Sequence, residues 1–189
     1  LDVFDTETFV NNPMDFYAVA TDIVTGQPVY HKLTDGKNED LEWIRASASM
    51  PLASRIVDIN GQKLLDGGIS DSIPLAFMEG LGFTKNVVIL TQPIDYVKHR
   101  YKIMPVIRAA LHKYPNAVSL LDTRHERYND QTTYVKVREK EGTAFVIRPP
   151  EALNISALEK DPLQMERVYN IGRNTALSRL EELKSFIIS

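Results

Sequence analysis

The pattern of hydrophobic and polar positions predicts short buried strands early in the chain. Residues 15–24 are apolar at both alternating sets of positions, which predicts a strand buried on both faces, as in the central sheet of an α/β protein. Residues 28–32 follow a Thr-Gly turn and predict a second strand. The continuous apolar run 87–90 predicts another buried, parallel strand.

One hairpin is predicted with its register. Asn60-Gly61 is typical of a two-residue type I′ turn, in which both central residues have φ > 0. This turn fixes the cross-strand pairs, the middle one an ion pair: Ile59 with Gln62, Asp58 with Lys63, and Val57 with Leu64. Asp66 then ends the returning strand, opposite Arg55. Because a slip of one residue would turn Asp66 to the other face, the hairpin decides where this carboxylate points.

Polar residues mark the starts of two short helices beside the hairpin. We expect Asn38 or Asp40 to cap a helix that Pro51 stops. We expect Asp71 or Ser72 to cap a second helix, in which the following proline occupies the first turn.

Helical patterns dominate after about residue 95. Asp161, followed by Pro162, is expected to cap a long amphipathic helix. Its apolar face would carry Met165, Val168, Tyr169, Ala176, Leu180 and Leu183. The other expected elements are a helix or loop over 1–13, helices over 105–112 and 117–130, a helix or strand over 131–140, and a strand over 143–147.

Composition places the chain among ordinary globular proteins. Of its 189 residues, 43% are hydrophobic and 25% are charged, and the formal net charge is -3. The absence of a basic excess argues against a nucleic-acid partner. The absence of cysteine excludes a thiolate nucleophile and a thiolate metal site, and it agrees with the cytoplasmic location that we expect.

The candidate chemistry centres on Asp66-Gly67-Gly68. Two adjacent glycines permit φ > 0 and a close approach by another atom, so Asp66 would stand at a tight corner with open space around it. Taken alone, the tripeptide is more typical of a surface turn than of a catalytic corner. Its neighbours change this interpretation. In chain order they are Ala20-Thr21-Asp22, Arg45-Ala46-Ser47-Ala48-Ser49-x-Pro51, the Asn-Gly hairpin, and Asp66-Gly67-Gly68-x-Ser70-Asp71-x-x-Pro74.

This ordered set, covering about residues 14–92, resembles the second half of the catalytic domain of the patatin-like phospholipases. The resemblance implies a partial three-layer α/β/α sheet over residues 1–95, followed by a mostly helical extension over 96–189. The family's Gly-x-Ser-x-Gly nucleophile elbow and its glycine-rich oxyanion loop do not occur in the sequence. Since the sequence also starts at Leu1 rather than Met, we expect it to be the C-terminal part of a longer protein.

The resemblance also implies roles for particular residues. Asp66 would be the catalytic acid–base residue of a Ser–Asp dyad, and Gly67 and Gly68 would form the active-site loop. The segment that holds Arg45, Ser47 and Ser49 would pack behind the site and support the Asp66 loop.

The implied activity of the parent protein is hydrolysis of a lipid or simple ester by a serine carboxylic ester hydrolase. The Ser–Asp chemistry needs no metal and no cofactor. Without the serine, the present chain alone is expected to be inactive. The alternative is a non-catalytic binding or regulatory module that keeps the fold.

Other chemistries find little support in the sequence. Ser47 and Ser49 lack the elbow context of a nucleophile, and a helix-end serine commonly bonds to the backbone. The histidines, which occur in no recognisable triad context, are His31, His99, His112 and His125. The spacing of Asp58, Asn60, Asp66 and Asp71 does not match an EF-hand, and the glycine pair is not a P-loop.

Two surface properties are expected. The basic run 98–102 is typical of a solvated loop, but it could also contact anionic lipid headgroups transiently. A partial sheet exposes edges and apolar faces, so we expect the isolated chain to self-associate.

Overall fold

The computed structural model describes residues 4–156 and 158–188. The helices are α1 (Thr6–Asn11), α2 (Asn38–Ser47), α3 (Leu75–Gly80), α4 (Met104–Ala110), α5 (Pro115–Asp122), α6 (Arg124–Lys140), α7 (Pro162–Ser178) and α8 (Leu180–Ile188). The strands are β1 (Tyr17–Asp22), β2 (Gln27–Lys32), β3 (Val57–Ile59), β4 (Gln62–Asp66), β5 (Asn86–Ile89) and β6 (Ala144–Ile147).

The chain forms two compact units. The first contains the residues up to 73 together with 99–129, and the second contains 74–98 together with the residues from 130 onward. Residues 99–129 therefore belong to the same unit as the Asp66 hairpin. The domain boundary expected near residue 95 stays a prediction about the domain organisation of the sequence.

The first unit is a sheet covered by helices on both faces, which confirms the α/β class. Its strand order is β2-β1-β4-β3, and every pairing is antiparallel. Because neighbouring side chains in a strand point to opposite faces, Leu64 and Leu65 enter different cores. The core on the side of α2 contains Ala18, Ala20, Leu33, Trp43, Ala46, Val57, Ile59 and Leu64. The core on the side of α4 and α5 contains Ile23, Leu65, Ile69, Met104, Ile107, Leu111, Ala117 and Leu121.

The hairpin has the predicted turn and register. Asn60 and Gly61 have φ values of 51° and 86°, and the three predicted cross-strand pairs are present, including the ion pair of the middle pair. The expected position of Asp66 opposite Arg55 is wrong. The β3–β4 ladder begins at Val57, so Arg55 precedes it, and Asp66 instead lies opposite Ala20 of β1.

Neither predicted pair of helix caps is observed: Asn38 lies inside α2, and Asp40, Asp71 and Ser72 have other hydrogen-bond partners. At the start of α2 the capping residue is Lys37, which makes no side-chain cap. Asp40 is buried and accepts hydrogen bonds from the N–H groups of the loop 34–36 and from His31. Asp40 therefore orders the loop before the helix rather than the helix end.

The second predicted cap is replaced in the same way. Helix α3 begins after Pro74 and has no side-chain cap. Asp71 accepts a hydrogen bond from the Tyr30 hydroxyl at 2.5 Å, and Ser72 donates to the Gly68 carbonyl at 2.7 Å. Both side chains therefore brace the turn that follows Asp66.

The second unit contains a parallel pair of strands, β5 and β6. The parallel direction predicted for β5 is confirmed, but its predicted burial is only half correct. Val88 is buried, whereas Val87 is 42% exposed and Ile89 is 74% exposed. Strand β6, predicted over 143–147, is buried along its whole length.

The helical predictions for the later chain are correct in most places. The segment 131–140 is helical, and Asp161 caps α7 by accepting a hydrogen bond from the Leu163 N–H. The helix predicted over 117–130 is interrupted at Thr123, which separates α5 from α6. The single long helix predicted from Asp161 is interrupted at Arg179, so Leu180 and Leu183 belong to α8. The predicted apolar face is not buried by the described residues: Tyr169, for example, is 64% exposed.

Asp40→Asn is expected to destabilise the 189-residue chain by about 2 kcal/mol at pH 7. Burial on its own raises the pKa of Asp40, but the hydrogen bonds from His31 and the three N–H groups outweigh it and lower the pKa to about 2. Folding therefore favours the ionised carboxylate. This contribution is present above the unfolded pKa of 3.8 and is lost as the pH falls towards 2.

Urea unfolding of both proteins at pH 7, 4 and 2.5 checks this expectation. The difference in unfolding free energy between wild type and variant should shrink between pH 4 and 2.5. Asp58→Asn, which changes the exposed ion pair of the hairpin, is the control and should cost much less. An equal cost of Asp40→Asn at pH 7 and pH 2.5 would contradict the ionised role of Asp40.

A candidate active-site corner at Asp66

Asp66 stands where β4 passes into a single 3₁₀ turn, Gly67–Ile69. Its Oδ1 accepts a hydrogen bond from the Gly68 N–H at 2.7 Å, which caps that turn. Within residues 4–156 and 158–188, no group donates a hydrogen bond to Oδ2, and the side chain is half-buried. One carboxylate oxygen is thus oriented by the backbone, and the other is free to accept a proton.

The backbone of Asp66 is held from both sides. Its N–H donates to the Ser49 carbonyl at 2.9 Å, just beyond the end of α2. Its carbonyl accepts a hydrogen bond from the Thr21 hydroxyl of β1 at 2.8 Å. These two bonds, together with the pairing of β4 with β1, fix the direction in which the side chain leaves the sheet.

Gly67 is needed for close approach, and neither glycine is needed for φ > 0. Neither Gly67 nor Gly68 has positive φ, so that part of the expectation is wrong. A Cβ on Gly67 would lie 2.2 Å from the Val19 carbonyl oxygen, which is far inside van der Waals contact. A Cβ on Gly68 would lie 3.0 Å from Asp66 Oδ1 and 3.1 Å from Arg124 Nη2. Gly67 therefore lets the corner lie against β1, and Gly68 leaves room beside the carboxylate.

The three predicted supporting residues differ in their contacts. Ser49 is buried and reaches Asp66 through its carbonyl, while its hydroxyl donates to the Arg45 carbonyl at 2.7 Å. The Arg45 side chain is exposed and pairs with Glu42. Ser47 is the last residue of α2 and is half-buried. The supporting role of the segment stays a prediction, and the observed contact to Asp66 runs through Ser49.

Thr21 was not among the predicted site residues. It is fully buried, and its hydroxyl contacts the Asp66 carbonyl and the Ser70 hydroxyl, each at 2.8 Å. The available signal was a hydroxyl residue inside an otherwise apolar strand, because a buried polar group requires a hydrogen-bond partner. Two arginines of α6, Arg124 and Arg127, were also missed and donate to the carbonyls of Gly68 and Ile69.

Tyr30 of strand β2 binds Asp71, which follows the 3₁₀ turn. Its hydroxyl donates to Asp71, and burial, followed by this hydrogen bond, raises the pKa of Tyr30 above its usual value. The phenol therefore stays protonated and keeps its donor role at neutral pH.

Two of the histidines have contacts away from Asp66. His31 bonds to Asp40 at 2.9 Å and stacks on Trp43 with ring centroids 4.5 Å apart. His112 contacts the Ala109 carbonyl through Nδ1. No histidine of the described part of the chain is hydrogen-bonded to Asp66.

The basic run 98–102 is partly engaged in intramolecular contacts. Arg100 pairs with Asp122, and the Tyr101 hydroxyl accepts a hydrogen bond from Arg124. The predicted lipid contact of this run stays a prediction.

Metal binding and membrane insertion are considered for residues 4–156 and 158–188, the ranges that the structure describes. No group of three or more His, Cys, Asp or Glu side chains there is arranged to hold a metal ion. None of the helices in those ranges combines the length and apolar character that crossing a bilayer requires.

Comparison with known proteins separates the chain into two matched ranges. Residues 5–78 match the family model described as "Patatin-like phospholipase", which confirms the resemblance. Residues 114–188 match a family model described as "Domain of unknown function (DUF6363)". The chain is also 31% identical over 140 residues to "Uncharacterized protein YjjU" of Escherichia coli (strain K12), covering 72% of this chain. It spans 39% of the length of that relative.

Gly67→Ala is expected to destabilise the chain by about 1–3 kcal/mol, because the added methyl group must displace the Val19 backbone or the corner itself. Urea unfolding measures the loss. Gly80→Ala is the matched control, since a Cβ there meets no atom within 4 Å and Gly80 ends helix α3. Equal stability of the Gly67 and Gly80 variants would show that the corner does not require the close approach.

Proposed function

We propose that the parent protein is a serine acyl hydrolase that cleaves lipid acyl esters, because residues 5–78 match the patatin-like phospholipase family model. In this proposal the present chain supplies the catalytic Asp66, and the nucleophilic serine comes from a part of the parent protein outside these 189 residues. The observation that carries the proposal is the geometry of Asp66, with Oδ1 bound to Gly68 and Oδ2 open.

The proposed reaction proceeds in two stages. The serine Oγ forms a bond to the ester carbonyl carbon while its proton passes to Asp66 Oδ2. Collapse of the tetrahedral intermediate breaks the bond to the alcohol, which leaves with the proton from Asp66. Water then attacks the acyl-enzyme, giving its proton to Asp66, and the serine recovers a proton as the fatty acid departs.

A carboxylate is a weak base in water, with a reference pKa of about 4. The proposed dyad therefore depends on orientation and on exclusion of water more than on intrinsic basicity. The buried turn beside Asp66 supports this reading, since Gly67 and Ile69 are both buried. An oxyanion hole, which usually supplies the largest stabilisation, would come from the parent protein.

The alternative function is a non-catalytic binding or regulatory module. The observation that favours it is the lack of a Gly-x-Ser-x-Gly motif in the 189 residues. Sequencing the parent gene upstream of the codon for residue 1 separates the two proposals. A Gly-x-Ser-x-Gly motif there supports the enzyme, and its absence supports the module. The expected cytoplasmic location stays a prediction in either case.

Asp66→Asn in the parent protein is expected to lower kcat for p-nitrophenyl ester hydrolysis by about 10²- to 10⁴-fold, since an amide cannot accept the serine proton. The isolated chain should show no hydrolysis above the buffer rate. Asp58→Asn is the matched control, because Asp58 lies on the same hairpin but pairs with Lys63 at the surface. Unchanged turnover of the Asp66 variant would remove the catalytic assignment.

We also propose that the isolated chain self-associates, because large apolar side chains are exposed in each unit. Met14 is 75% exposed in the first unit and Ile89 is 74% exposed in the second. Light scattering should give a mass above the 21.4 kDa of one chain at high concentration, and Met14→Lys or Ile89→Lys should reduce it. A monomer at every concentration would contradict this expectation.

A further inference from the structure

The Asp66 corner receives two side-chain contacts from the first turn of helix α6. Arg124 Nε donates to the Gly68 carbonyl, and Arg127 Nη2 donates to the Ile69 carbonyl at 3.0 Å. Both arginines are separated by more than 50 positions from the residues that they bind. They lie inside the range 114–188, whose family model carries no described function, and outside the patatin-like range 5–78.

Each guanidinium is anchored by a second set of contacts. Arg124 Nη1 donates to the Tyr101 hydroxyl, and its guanidinium carbon lies 5.9 Å from the centre of the Tyr101 ring. Arg127 donates to Thr123 Oγ1 at 2.7 Å and to the Leu120 carbonyl. Since the guanidinium is planar and rigid, anchoring one edge fixes the direction of the donors on the other.

Arg124 and Arg127 both lie in the first turn of α6, which is an unfavourable position for positive charge unless the carbonyl partners are present. Positive charges in the first turn of a helix oppose the helix dipole. Burial, and next the neighbouring Arg124 charge, lower the pKa of Arg127. Hydrogen bonds from charged donors are stronger than those from neutral donors, and at the carbonyls of the corner they offset these costs.

Gly68 links Arg124 to the carboxylate through the two peptide groups on either side of its Cα. The Gly68 carbonyl accepts from Arg124 and from Ser72, while the Gly68 N–H donates to Asp66 Oδ1. Changes in the φ and ψ of Gly68 alter the angle between these two groups, and a turn that shifts in this way loses the bond to Asp66 Oδ1. Because glycine has no side chain, its own φ and ψ preferences resist such changes least, and the bonds to its carbonyl supply the restraint.

We infer that Arg124 and Arg127 are positioning residues that hold the 3₁₀ turn beside Asp66, so that helix α6 controls the orientation of the catalytic carboxylate. This inference rests on the proposed function of Asp66. It assigns a role to the start of the 114–188 segment: the segment completes the active-site corner of the patatin-like part.

The test is made in the parent protein with Arg124→Met, Arg124→Lys and Arg127→Met. Arg124→Met should lower kcat roughly 10- to 100-fold with KM changed less than about twofold, because a misplaced catalytic group loses rate and not substrate binding. Arg124→Lys keeps the charge and one donor and should recover part of kcat. Arg127→Met should have a smaller effect of the same kind.

The matched control is Arg108→Met, which removes an arginine of the same compact unit whose partner is Asp122 at the surface. It should leave kcat and KM unchanged. A fall of kcat in Arg108→Met equal to that in Arg124→Met would overturn the inference, because the effect would then not depend on the corner. Wild-type kcat in Arg124→Met, with Asp66→Asn inactive, would also overturn it.

Hydrogen exchange provides a readout that does not need turnover. In Arg124→Met, peptides that cover residues 67–71 should exchange at least about tenfold faster, while peptides that cover the hairpin 57–64 stay at the wild-type rate. Unchanged exchange over 67–71, or equal acceleration in both sets, would overturn the inference. If Asp66→Asn keeps its turnover, the proposed function fails, and the exchange result alone decides whether Arg124 holds the turn.

Discussion

The structure of the first unit depends on how the backbone of the Asp66 corner is satisfied by hydrogen bonds. Its polar groups are bound from strand β1 by Thr21, from the end of α2 by Ser49, and from helix α6 by Arg124 and Arg127. A buried turn without such partners would lose about 1–3 kcal/mol for each unsatisfied group. Separate segments of the chain therefore meet at the corner, and their hydrogen bonds hold the backbone that carries the Asp66 carboxylate.

The missing side chain at Gly67 allows the turn to lie close to strand β1, where these hydrogen bonds form. The turn lies so close to Val19 that no side chain fits between them. The neutral bonds from Thr21 and Ser49 contribute about 1 kcal/mol each, and the bonds from the two guanidinium groups contribute more because the donors are charged. The charged contacts come from residues 124 and 127, so the order of the corner depends on a segment far along the chain from the hairpin.

Local signals in the sequence were sufficient for the hairpin and for the cap of α7. Asn60-Gly61 determines its turn through two φ > 0 positions, and Asp161 finds its N–H partner two residues away. Asp40 and Asp71 have equally good capping character, but Asp40 accepts from the loop 34–36 and from His31, and Asp71 accepts from Tyr30. Capping propensity describes only what a side chain can do locally, and it gives no information on competing tertiary partners. The motif singled out Asp66, Gly67 and Gly68 as candidate site residues. The contacts of Thr21, Arg124 and Arg127 with the corner exist only in the folded chain, so local patterns did not predict them. Hydrophobic periodicity likewise predicted where β5 and α7 lie in the chain. It did not predict which of their side chains are buried by other described residues.

The central claim is that Asp66 is built to take a proton from a serine hydroxyl supplied by the parent protein. The most direct measurement is the distance between Asp66 Oδ2 and the nucleophile Oγ in a crystal structure of that protein. We predict about 2.6–3.2 Å, with Oδ1 still bound to the Gly68 N–H. An Oδ2 that bonds to another group or faces solvent, with no serine hydroxyl within about 5 Å, would contradict the claim.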